Sequence, residues 1–280
     1  MTLNLDKNTD ARTVAGFGDE WSRFDQSALS DEVRKQIFSD YFEIFPWKTL
    51  PENAKGADIG CGSGRWAKVV APRVGNLILL DASSEALSVA RKNLSDFSNV
   101  AFIEASVGDL PIDDDSLDFA YSLGVLHHVP NTEEALKAVV QKLKPGAPFL
   151  VYLYYAFDNR PAWYYLFWVV SDVLRKTISV MPNILRYWLS QFLACIVYWP
   201  LSRVAFILNK MDICPNSWPL KYYSDKPFYV MRTDALDRFG TRLEQRFSKQ
   251  QITLMLTNAG LTNIRFSDKA PFWCAVGLKG

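Results

Sequence analysis

From residue 54 to residue 155, short apolar runs alternate with stretches whose apolar positions recur every three or four residues. The runs predict strands at 54–60, 76–81 (NLILLD), 100–105 (VAFIEA), 117–123 (LDFAYSL) and 147–155 (APFLVYLYY). NLILLD is apolar without alternation, as in a strand covered on both faces. Between the strands, one helix is expected around 65–71 and a second from Ser83 or Ser84 to about residue 95, with Leu87, Ala90 and Leu94 on one side. A third follows Asn131, which forms a capping-box-like start with Glu134, and places Ala135, Leu136, Val139, Val140 and Leu143 at helical spacing. Residues 30–45 predict an earlier helix with Ser30 as N-cap. The rhythm breaks at residue 156 and resumes at Ser248, where SKQQ is a capping box, Ile252, Met255, Leu256 and Ala259 share a face, and Gly260 ends the helix. LTNIRFS and FWCAVGLK follow as two last strands.

Such alternation predicts an α/β fold, a doubly wound and mostly parallel seven-stranded sheet. Residues 156–247 form a helical, aromatic-rich insertion after the fifth strand. The expected division is an N-terminal helical segment at 1–50, a core of 51–155 and 248–280, and the insertion.

The remaining composition narrows the function classes. Lys and Arg number 31 and Asp and Glu 30, a net charge of +1, which excludes a nucleic-acid binder relying on a broad basic field. Cys61, Cys195, Cys214 and Cys274 lie far apart without a Cys-x-x-Cys pair and read as reduced thiols. Two histidines cannot supply a His-built zinc site, so no metal is expected. The first twenty residues are too polar for a signal peptide, and a cytoplasmic location is expected.

The candidate chemistry begins at DIGCGSG, residues 58–64, where Gly60, Gly62 and Gly64 alternate directly after the first strand. A glycine turn between a strand and a helix N-terminus brings backbone N–H groups to a ligand at the carboxyl edge of a sheet. The dinucleotide form G-x-G-x-x-G fails here, because Arg65 stands where the third glycine belongs; this counts against a nicotinamide dehydrogenase. The pattern D-x-G-x-G-x-G resembles the first motif of the class I S-adenosylmethionine-dependent methyltransferases. Four further segments extend the resemblance: LILLDAS containing Asp81, GDLP with Asp109, DFAYSLGVLHHVP, and LKPGAPFLVY, where Ala147 replaces the family's second glycine.

The resemblance implies S-adenosylmethionine as methyl donor and S-adenosylhomocysteine as product. It implies a donor site of Asp58, Gly60, Cys61, Gly62, Asp81, Ala82, Asp109, Leu110 and Ser122, with Trp21 of the N-terminal segment folded over it. Asp81 would accept both ribose hydroxyls, a bidentate geometry suited to a carboxylate. Gly64 is read instead as close packing of helix on strand.

His127 and His128 are the chain's two histidines. Methyl transfer is an in-line displacement from a sulfonium, so alignment is the main task. A hydroxyl acceptor must also lose a proton, which an imidazole of pKa ~6.5 can take. His128 is the candidate base and His127 the second candidate; the other reading is local packing. O-methylation of a small-molecule acceptor is expected first, with C- or N-methylation, or a non-catalytic cofactor-binding scaffold, as alternatives.

The segment YLYYAFDNR offers Tyr155, Asp158 and Arg160 to the acceptor, with Trp163 beyond; Tyr154 replaces Tyr155 if strand alternation so places it. Residues 161–200 hold ten aromatic side chains and read as two helices broken by Pro182 and Pro200. Three readings stand for them: a cap packed on the sheet, a cap with an aromatic interior for the acceptor, or a surface resting on membrane. The last is supported by Arg160, Arg175, Lys176, Arg186, Arg203 and Lys210 against Asp158, Asp172 and Asp212. The cap is the first expectation, and the uncharged run 187–202 reads as short for a transmembrane span. Residues 232–248 read as a solvated helix face. Oligomeric state is not legible.

Overall fold

Seven strands form one sheet in the computed structural model, which describes residues 3–4 and 7–280. They are β1 (Lys55–Ile59), β2 (Asn76–Asp81), β3 (Val100–Glu104), β4 (Phe119–Leu123), β5 (Pro148–Tyr152), β6 (Leu261–Phe266) and β7 (Cys274–Lys279). Their order is β3-β2-β1-β4-β5-β7-β6. Strands β1 to β5 are parallel, and β7 runs antiparallel to both β5 and β6. This is the doubly wound, mostly parallel sheet that the alternation predicts. The strand order reverses between β1 and β4, and the crevice at their carboxyl ends is where such sheets bind ligands.

The chain divides into two units, Met1–Ala156 with Leu243–Gly280, and Phe157–Arg242. Helices α1 (Ala11–Arg23), α2 (Asp31–Phe42), α3 (Ala67–Val70), α4 (Ser84–Asn93) and α5 (Thr132–Lys142) belong to the first. Helices α6 (Ala162–Ile178), α7 (Asn183–Leu193), α8 (Trp199–Lys210) and α9 (Phe228–Gly240) build the second, and α10 (Lys249–Asn258) returns to the first.

Local chemistry sets these boundaries. Ser30, Ser83 and Asn131 each accept a hydrogen bond from a backbone N–H of the first helical turn, and Ser248 and Gln251 make a reciprocal capping box. All of β4 is buried. Gly56 pairs in register with Phe119, and a Cβ there would stand 2.0 Å from the Phe119 ring, so only glycine lets that ring cross β1. Phe42 at the end of α2 meets Tyr121 at 5.2 Å and Phe45 just beyond it meets Phe119 at 5.9 Å, which seats the end of α2 on β4. Strand β5 ends at Tyr152, earlier than the apolar run suggests, because Tyr155 leaves the sheet to bridge Phe247.

Two expectations change in the second unit. Its centre is α9, with Val230, Met231, Ala235, Leu236 and Phe239 buried, so 232–240 is not a solvated face. The charges of α9 are met by neighbouring helices: Arg232 donates to Gln191 Oε1 at 2.6 Å and to the Tyr187 hydroxyl at 2.9 Å, and Arg238 donates to Ser171 Oγ at 3.1 Å. Pro182 does separate α6 from α7, but Pro200 does not break a helix. A π-turn at Ala194–Tyr198 precedes it and joins α7 to α8 as one continuous helix, Asn183–Lys210. A wider turn accommodates a residue that lacks an N–H.

Candidate active site at the carboxyl edge of the sheet

The turn leaving β1 is built on three left-handed residues, Gly60 (φ +75°), Gly62 (φ +53°) and Gly64 (φ +73°). L side chains avoid that conformation. A Cβ on Gly60 would press on the Val125 side chain at 2.4 Å, one on Gly62 on the Trp21 indole at 2.7 Å, and one on Gly64 on Leu94 at 2.9 Å. Gly64 therefore makes the close packing of the turn against α4. The other two line the crevice beneath Val125 and Trp21.

Two carboxyl groups flank the turn. Asp81, at the end of β2, accepts from the Gly62 N–H and the Ser83 N–H, each at 2.9 Å. It is half-buried; burial raises its pKa, and the backbone donors hold it down against that. Asp58 is 1% exposed, and the parallel register sets it beside Tyr121, whose hydroxyl donates to it at 2.9 Å. Burial pushes the Asp58 carboxyl up to about 8, opposed by the Tyr121 bond, so it is mostly protonated at neutral pH. A buried acid in that state is the complement of a cationic ligand, which would draw off the proton.

The N-terminal segment is laid across this edge. The Asn8 side chain donates to Asn131 O at 2.7 Å and accepts from Asn131 N–H at 2.8 Å. Gly18 lets α1 approach the start of α4, since a Cβ there would lie 2.8 Å from Ser83 Oγ. Phe17 packs on His128 at 5.0 Å, and the Arg65 guanidinium lies 5.6 Å from the Trp21 ring.

Both histidines are buried, in a 3-10 turn after β4. His128 Nδ1 lies 2.6 Å from the Leu243 carbonyl oxygen. A carbonyl only accepts, so Nδ1 carries the proton and Nε2 the lone pair. His127 stacks on Tyr154 at 3.8 Å and lies 3.9 Å from His128. Burial, then the charge of His128 and of Arg246, keeps His127 neutral, far below the usual range. Arg246 sits 5.0 Å over the Tyr154 ring and pairs with Glu244 at 2.8 Å.

The other candidate residues fall in several places. Cys61 lies in the turn after β1 and Ala82 directly follows β2, and burial raises the Cys61 thiol well above its ordinary value. Leu110 packs on the core, whereas Asp109 is exposed beyond β3. Ser122 is buried and donates to Ile59 O at 2.8 Å, a bond between strands. Tyr155 turns toward Phe272 and the core, and Tyr154 takes the face toward the histidines, as strand alternation allows. Asp158, Arg160 and Trp163 belong to the second unit, where Arg160 donates to Asn216 O and lies 5.4 Å from the Tyr164 ring.

Sequence reasoning missed Tyr121, Phe17, and the segment 243–247. Tyr121 was findable, since parallel pairing of DFAYS with GADI sets it beside Asp58. Leu243 contributes a backbone oxygen, which no residue type announces. Among the described residues no group of three His, Cys, Asp or Glu is placed to hold a metal. An open groove of about 670 Å³ between Pro46, Asp118, Lys144 and Arg265 lies at the opposite, amino edge of the sheet.

Residues 57–151 match the family model described as "Methyltransferase domain". Among curated relatives, the demethylmenaquinone methyltransferase of Staphylococcus carnosus is 32% identical over 35% of this chain and 42% of its own length. The ubiquinone/menaquinone biosynthesis C-methyltransferase UbiE of Vibrio vulnificus is 30% identical over 38% of this chain and 45% of its own. The chain thus spans less than half the length of these relatives. A solved structure named as a methyltransferase, from Bacillus halodurans C-125, is 15% identical and covers 82% of this chain and 72% of its own, with a TM-score of 0.51, a likeness of fold.

Proposed function

We propose that this chain, which carries the core of a class I S-adenosylmethionine-dependent methyltransferase, moves a methyl group from that donor to a small-molecule acceptor. The observation that carries the reading is the pairing of the Gly60–Gly62 turn with Asp58 and Asp81 at the switch point of the sheet. The residues fit the donor. A Cβ at Gly60 or Gly62 would strike Val125 or Trp21, so only glycine permits this close turn, and Asp58 is an acid that burial leaves ready for a cation. Asp81 would hold the ribose diol, its orientation fixed in advance by the Gly62 and Ser83 N–H groups. Asp58 would receive the ammonium, directly or through water. When bound, the donor supplies an electrophilic sulfonium methyl.

This chain's task is then alignment and proton removal. His128 is the base: the Leu243 carbonyl fixes its tautomer and leaves Nε2 able to accept the acceptor's proton. His127 and Tyr154 form the wall that holds its ring. A hydroxyl acceptor is the first reading. Carbon is the second, because the names of two curated relatives specify menaquinone or C-methylation. Both acceptors lose a proton, so His128 serves either.

The test is donor binding and turnover in His128→Gln. Turnover should fall by about 10²–10⁴ with S-adenosylhomocysteine affinity unchanged. Full turnover in that variant removes the role.

A further inference from the structure

Around α9, whose apolar residues are buried, the helices α6, α7 and α8 turn polar side chains inward and large apolar ones outward. The inward side of α6 holds Asp172 and Arg175 beside Ile178, with Ser179 at its C-cap, and that of the α7–α8 helix holds Arg186, Ser190, Gln191 and Ser202 beside Ala194, Tyr198 and Ala205. The outward residues are apolar: Leu166, Phe167, Val170 and Val173 on α6, then Ile184, Leu185, Trp188, Phe192, Ile196 and Ile207 on α7 and α8. Phe167 is 68% exposed and Trp188 65%. Among the described residues every exposed large hydrophobic except Leu254 lies between Trp163 and Ile213. A helix in water turns its apolar stripe to the core, and soluble monomers rarely expose contiguous apolar patches beyond a few hundred Å². Polar residues inward and apolar residues outward is the arrangement of helices whose solvent is hydrocarbon.

Charge identifies the occupant. Phe157–Arg242 carries eleven basic against six acidic side chains, while the rest of the chain carries twenty against twenty-four. A second copy of this unit would set like charge against like. An anionic bilayer meets both the apolar face and the excess of cations, of which Lys176 and Lys210 are exposed. Helix Asn183–Lys210 has 28 residues and by length and composition could cross a membrane. Its polar stripe, however, runs from Arg186 to Ser202 along the side packed within the unit. One apolar face along a two-faced helix suits immersion in the plane of the interface.

We propose that α6 and the continuous α7–α8 helix dock the protein on an anionic lipid bilayer, lying in the interface plane with their outward apolar faces in the acyl boundary. The docking is independent of the methyl-transfer reading, because it is measured without turnover.

The test is flotation of the full chain with vesicles of phosphatidylcholine, with and without about one third phosphatidylglycerol. The chain should float with the anionic vesicles, more weakly as salt rises, and at least tenfold less with phosphatidylcholine alone. The double substitution Phe167→Glu, Trp188→Glu should reduce flotation at least tenfold while S-adenosylhomocysteine binding, read by calorimetry, stays unchanged. Should that variant fail to fold, brominated acyl chains should still quench the tryptophan emission of the wild-type chain. Absence of flotation and of quenching overturns the proposal. So does a sedimentation result in which the wild type forms a dimer that the two substitutions dissociate and vesicles do not bind, which would assign the surface to self-association.

Discussion

Asp58 makes donor binding a proton-linked event. With its pKa at about 8 in the free protein, roughly one molecule in a hundred carries the carboxylate at pH 6 and about one in four at pH 7.5. A donor bearing an ammonium and a sulfonium favours the charged carboxyl, so binding expels the proton. If the carboxylate is the binding form, affinity rises about twenty-fivefold between pH 6 and pH 7.5, close to 2 kcal/mol. Calorimetry in buffers of different ionisation enthalpy should detect release of about 0.9 proton at pH 7. Asp58→Asn should flatten the profile and abolish the release. The same shift acts on stability with the opposite sense. A folded-state pKa above the unfolded value means that the native chain holds the proton more tightly, so stability declines as pH rises from about 4 towards 8. By pH 7 the loss is on the order of 4 kcal/mol, and Asp58→Asn should remove the slope. Affinity independent of pH, with no proton released, would refute the assignment of Asp58 as the ligand's counter-ion.

Gly62→Ala should destabilise the first unit by roughly 1–3 kcal/mol in denaturant unfolding, since φ is +53° and its Cβ meets the Trp21 indole at 2.7 Å. Gly64→Ala should lose a comparable amount against Leu94 while affecting donor affinity less. Trp21→Ala should weaken S-adenosylhomocysteine binding in calorimetry by uncovering Gly62, with little change in melting temperature, because the ring is partly exposed. Asn8→Ala should cost about 1–3 kcal/mol through the Asn131 backbone groups it leaves unmet, read by unfolding.

The sheet was legible because its central strands β1, β4 and β5 are almost wholly buried and its helices announce their starts. Ser30, Ser83, Asn131 and Ser248 cap where their side chains and spacing say they should. The glycine turn was legible because left-handed backbone restricts residue type so strongly. Other features depended on tertiary partners. The tautomer of His128 depends on a carbonyl 115 residues away in sequence. Residues 232–240 carry alternating charge yet are buried or half-buried, because Arg232 and Arg238 find Gln191, Tyr187 and Ser171 on neighbouring helices. Apolar content in α6 to α8 announced that something must cover them, whereas only the folded arrangement shows that their apolar sides point outward.

The central claim is that the crevice at the carboxyl ends of β1 and β4 seats the donor, with Asp81 at the end of β2 holding it. Titration calorimetry of S-adenosylhomocysteine against the wild-type chain and Asp81→Asn tests it most directly. The account predicts one site per chain in the wild type and at least a tenfold loss of affinity in the variant, with the nicotinamide dinucleotide bound by neither. Equal affinity in the two proteins, or binding of the dinucleotide in place of the thioether, would contradict it.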